Sequence, residues 1–75
     1  MLPTYAECIR GKYYVKNIGG TTIQMYRRQL IYFVQVGHES TGHMTYDKAI
    51  DHLIRALILT NRGEYHDKSI TRKKS

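Results

Sequence analysis

An apolar stripe near the end of this chain limits what it can fold into. Tyr46, Ala49, Ile50, Leu53, Ile54, Leu57 and Ile58 recur at i, i+3, i+4, i+7 spacing. Asp47, Lys48, Asp51, His52 and Arg55 take the other side, the pattern of a helix laid on a core. Thr45 is a suitable N-cap, Asp47 suits the first turn, Arg62 the last, and Gly63 stops the helix. A chain of 75 residues makes one small domain, which buries only about 60% of its unfolded surface. The partner of the stripe must therefore come from the residues before it.

Those residues read mostly as strands. Lys12 to Ile18 is rich in β-branched and aromatic side chains, Gly19-Gly20 follows, and Thr21 to Tyr26 continues in the same chemistry. Two such runs around a Gly-Gly pair signal a hairpin, because both glycines accept the positive φ of a primed turn. Arg27-Arg28-Gln29 is a weaker turn leading to Leu30–Val36. Ile23, Tyr26, Leu30 and Phe33 also fall at helical spacing, but Thr-Thr and the β-branched content favour strands. Gly37 to Met44 reads as a polar loop. Before all this, Thr4-Tyr5-Ala6-Glu7 fits a capping box and Gly11 a stop, giving a short helix docked through Tyr5, Cys8 and Ile9.

The expected fold is α+β: a short N-terminal helix, a three-stranded antiparallel meander, and a long amphipathic helix on one sheet face. Residues 1–67 form the single domain, and 68–75 a disordered basic tail. Alternation places Tyr13, Val15, Ile23, Met25, Leu30, Val34 and Val36 in the core. Tyr14, Lys16, Gln24, Tyr26, Ile31 and Phe33 then share the uncovered face. Strand three would be an apolar edge, an aggregation hazard that a homodimer would remove.

Charge narrows the partner. There are 12 Lys and Arg against 6 Asp and Glu, a net +6. Residues 9–38 carry Arg10, Lys12, Lys16, Arg27 and Arg28 without one acid. The tail carries Lys68, Arg72, Lys73 and Lys74. Basic blocks of this kind suit a polyanion. The expected contact surface is thus Lys12, Tyr14, Lys16, Tyr26, Arg27, Arg28 and Phe33, joined by the four tail cations. Rings stack on bases while Lys and Arg meet phosphates, and Arg27 and Arg28 would sit at a ribbon tip that reads a groove. The partner expected is nucleic acid, DNA ahead of RNA, or a protein complex that processes it.

Over residues 12–60 the order of elements, a three-strand sheet and then a helix opening Thr45-Tyr46-Asp47-Lys48-Ala49, resembles AP2-type and integrase arm-binding DNA-binding domains. The tryptophans and arginine spacing of AP2 strands are missing here, which puts their mode of base reading in doubt. In size and style the chain is also similar to phage and mobile-element anti-defence factors, including anti-CRISPR-like inhibitors. Those imply a second role: occluding a host complex through the Tyr-rich face.

Other chemistry has little footing. His38, His43, His52 and His66 match no zinc spacing, so neither metal nor cofactor is expected. Cys8 reads as packing, and no phosphate loop, nucleophile elbow or carboxylate pair is present, so no enzyme is expected. Met1 to Tyr5 lack the basic start and apolar stretch that mark a signal peptide, no apolar run nears the ~18 residues of a membrane span, and Cys8 has no second cysteine to pair with. The expected location is the cytoplasm.

Overall fold

The computed structural model describes residues 2–65. Its elements are α1 (Tyr5–Ile9), β1 (Tyr14–Ile18), β2 (Thr21–Arg28), β3 (Ile31–Val36), β4 (Glu39–His43) and α2 (Tyr46–Asn61). The class is α+β, with an antiparallel sheet in the order β1-β2-β3-β4 and α2 packed on one face. The sheet has four strands where three were expected.

Two-residue turns organise the meander. Ile18 pairs with Thr21, Arg28 with Ile31 and Val36 with Glu39, so each link is two residues long. Primed turns need positive φ at the first linking residue. Gly19 (φ 55°) and Gly37 (φ 61°) supply it freely, and Gln29 adopts it at φ 58°.

The third turn explains the missed strand. Gly37-His38 is itself a hairpin signal, and β4 forms from Glu39-Ser40-Thr41-Gly42-His43 despite weak β propensity. Pairing along β3 supplies what the residues lack: Tyr32 faces His43, Phe33 faces Gly42 and Val34 faces Thr41. Strand three therefore lies inside the sheet, between β2 and β4. The unpaired apolar edge that motivated a homodimer does not exist.

The same turns correct the assignment of faces. A two-residue link pairs an odd-numbered residue with an even-numbered one, so Met25 faces Tyr14 and Ile23 faces Lys16. Tyr14 and Lys16 thus share the helix-covered face with Ile23 and Met25. Tyr13 and Val15 were expected in the core, yet they are 52% and 58% exposed. Leu30, also expected there, is a turn residue left 73% exposed.

The core lies between the sheet and α2. It comprises Ile23, Met25, Tyr32, Val34 and Val36 below, Ala49, Leu53 and Ala56 above, and Cys8 from α1. Ala49 and Ala56 flank Leu53 and let the helix backbone approach the strands. Ile54 and Ile58, at the margin of the apolar stripe, remain exposed. The N-cap of α2 is as expected: the Lys48 N–H donates to Thr45 Oγ1 at 3.3 Å.

Short α1 is held at its start by a complete capping box. The Glu7 N–H donates to Thr4 Oγ1 at 3.1 Å, and the Thr4 N–H donates to Glu7 Oε1 at 3.0 Å. Only Cys8 of α1 is buried; Tyr5 and Ile9 are exposed. Tyr5 meets the edge of Tyr46, with ring centroids 5.7 Å apart. The Tyr46 hydroxyl donates to Pro3 O at 2.6 Å, tying the N-terminal segment to α2.

Candidate functional site

Register determines what the open face displays, because directly paired residues point the same way. One row crosses β2, β3 and β4 and is extended by Tyr13, the residue before β1: Tyr13 stacks beside Tyr26, Tyr26 faces Phe33, and Phe33 faces Gly42. The next row is Val15, Gln24, Gln35 and Ser40. Asn17 and Thr22 follow, with the Asn17 amide donating to Thr22 Oγ1 at 3.0 Å. At the opposite end Arg28 faces Ile31.

The aromatic row is a continuous stack. Tyr13 and Tyr26 are 4.8 Å apart at 14° between planes, and Tyr26 and Phe33 are 5.4 Å apart at 23°. Rings stacked across strands stand up from the sheet, so much of their face area contacts a neighbouring ring. Gly42 completes the row by its lack of a side chain: a Cβ there would lie 3.1 Å from Ile31 Cγ2 and 3.4 Å from the Phe33 ring. The exposed end of the stack is Tyr13.

Electrostatics on this face are one-sided. Among its strand residues Arg28 is charged and none is acidic. Glu39, the acid of β4, pairs with Val36 and lies on the helix side.

The expected site residues separate accordingly. Tyr26, Phe33 and Arg28 come together on the open face. Tyr14 and Lys16 are on the other side of the sheet, Tyr14 half-buried beside Leu2 and Pro3. Lys12 pairs with Glu7 at 3.3 Å, and its ammonium, with the Thr4 backbone hydrogen bond as the larger influence, holds the Glu7 carboxyl below its ordinary value.

Arg27 also turns to the helix side. Its guanidinium lies 5.6 Å from the centre of the Tyr32 ring, so it packs as a half-buried cation on an aromatic rather than standing at a ribbon tip. Lys68, Arg72, Lys73 and Lys74 lie outside the described residues. Tyr13 was missed as a surface residue, and the signal was present. The two-residue Gly-Gly turn reverses parity and so aligns Tyr13 with Tyr26.

A second polar cluster sits between β4 and α2. His43 Nε2 and His52 Nδ1 are 2.9 Å apart in a cleft of about 370 Å³ also lined by Lys48, Asp51 and Arg55. Among the described residues, no three His, Cys, Asp or Glu side chains form a group able to hold a metal ion. Burial raises the Cys8 thiol above its ordinary value, with Glu7 adding to the effect, and the side chain is wholly buried. That favours packing over nucleophilic chemistry. No helix of the described residues is long and apolar enough to cross a membrane.

Compared with known proteins, the chain matches no family model, no curated protein and no solved structure.

Proposed function

We propose that this protein is a non-enzymatic binding module that takes a single strand of nucleic acid, DNA ahead of RNA, across its open sheet face. One observation carries the reading. The aromatic row Tyr13-Tyr26-Phe33 lies beside an amide row, Gln24-Gln35, on a face whose strand residues include Arg28 and no acid. Each part suits a component of a nucleotide. A base extends the stack at the exposed ring of Tyr13, the glutamine amides hydrogen-bond base edges, and Arg28 meets a phosphate. The net charge of +6 adds attraction that does not depend on sequence.

The test is fluorescence anisotropy with labelled single-stranded oligonucleotides at ~50 mM and ~200 mM salt. Native protein is expected to bind, and more weakly at the higher salt. Tyr13→Ala should reduce affinity by about 1–3 kcal/mol, the value of one stacked base. Arg28→Ala should chiefly flatten the salt dependence. Equal affinity of native protein and both variants would remove nucleic acid from the account.

Mutual stacking of the rings supports a second reading. A ridge of ring edges and phenol hydroxyls suits a protein surface, where tyrosine is enriched. In that reading the face occludes a protein complex that processes nucleic acid, as an accessory protein of a mobile element would. Retention of one host complex after nuclease treatment, with salt-labile binding to bare nucleic acid, would favour it.

A further inference from the structure

We propose that His43 and His52 form a one-proton latch that fastens the outer strand β4 to α2 and opens when the protein is acidified. The two imidazoles come from separate elements, His43 from the end of β4 and His52 from the middle of α2. Their nitrogens are 2.9 Å apart and their rings nearly perpendicular, at 80°. A hydrogen bond between two ring nitrogens needs one donor and one acceptor, so it holds one proton. Protonation of both rings leaves two donors facing each other and two like charges at contact distance. The bond is then lost, and the rings must separate.

The surroundings set the direction. From α2, Lys48, Asp51 and Arg55 face the pair; from β4, Glu39 and Thr41; and Tyr65 closes the cleft beyond the helix. Of the acids lining the cleft among the described residues, Asp51 pairs with Arg55 at 2.8 Å and Glu39 accepts from the Tyr65 hydroxyl at 3.4 Å. Burial, with Lys48 beside it, holds His43 below the ordinary histidine value. A histidine depressed in the folded state favours folding fully above its unfolded pKa. That contribution disappears as pH falls through the folded value. Acid therefore weakens the seam, while neutral pH keeps it closed.

The consequence is local because, among the described residues, β4 is an outer strand joined to the sheet through β3. With the latch open, β4 loses a tether to α2 while β2 and β3 keep theirs.

The experiment compares native protein, His52→Gln and His38→Gln between about pH 7.5 and about pH 5. It reads Tm together with amide hydrogen exchange, corrected for intrinsic rates. His38, exposed on the turn before β4 and outside the pair, serves as the substitution control. In native protein and His38→Gln, acid should lower Tm by several degrees and raise exchange in β4 at least tenfold relative to β1. His52→Gln keeps an amide able to hydrogen-bond but cannot take up the second proton, so its β4 exchange should be nearly independent of pH. Should His52→Gln fold poorly, titration of His43 by NMR in native protein decides. A His43 midpoint below the ordinary histidine value of about 6.5 supports the latch, and a midpoint at or above it overturns it. An acid response of β4 in His52→Gln as large as in native protein also overturns it.

Discussion

The two faces of the sheet are built from the same strands and obey different rules. On the covered face Ile23, Met25, Val34 and Val36 are packed out of water beneath Leu53. On the open face Tyr13, Tyr26 and Phe33 satisfy one another side by side while staying in reach of solvent. Neighbours in sequence fall under opposite constraints, as Met25 and Tyr26 do. The covered face is defined by what it excludes. The open face is defined by how it is ordered, and order without burial is what a contact surface needs.

Substitution at those two neighbours gives the sharpest way to break the comparison. Met25→Ala should destabilise by about 2–5 kcal/mol, since a fully buried side chain leaves a cavity. Tyr26→Ala should cost about 1–3 kcal/mol, the sum of two ring contacts at about 0.5–1.5 kcal/mol each, and should abolish most binding. Denaturant midpoints give the stabilities, and anisotropy gives the affinity. If Tyr26→Ala proves as damaging to folding as Met25→Ala, the open face is structural and its claim to function fails.

A smaller effect tests the turns that sort the faces. Gly20 sits at φ 86° with open space where a Cβ would go. Gly20→Ala should therefore cost about 1–2 kcal/mol from backbone strain alone. Thermal unfolding would show it, and no loss would mean that another turn geometry supports the register.

The smallest expected effect is at Gly42. An added methyl meets Ile31 and Phe33 on the surface, where both can yield by a few tenths of an ångström. Gly42→Ala should leave stability within about 0.5 kcal/mol. Binding should still change, because Phe33 would tilt the row. Unchanged affinity would show that the Phe33 end of the row takes no part in contact.

These same residues show how much was legible beforehand. Helix α2 was, with its Thr45 cap and Gly63 stop, because periodicity and capping are local signals. So were α1 and the Gly19-Gly20 hairpin. Strand β4 was not, since Ser40, Gly42 and Glu39 carry little strand preference and become a strand through pairing with β3. The faces were misread at β1 by one residue. Apolar content there is nearly even, Tyr13 and Val15 against Tyr14 and Ile18, so composition cannot choose between them. Turn length can, and a two-residue link demands opposite parity. Arg27 misled for a different reason: its charge was visible, whereas the Tyr32 ring that holds it comes from the next strand.

Tyr46 carries a consequence for how the molecule assembles. Adjacent strands pair through two-residue links throughout the meander, so most of the sheet forms from near neighbours and needs little loop closure. The bond from Tyr46 to Pro3 instead spans a sequence separation of 43 and brings the N-terminal segment onto the start of α2. Closing so long a loop loses chain entropy before it gains contacts. This clasp should form late in folding, after the sheet exists to hold both ends near each other. Tyr46→Phe would then speed unfolding while leaving the folding rate almost unchanged, the kinetic signature of a contact absent from the transition state.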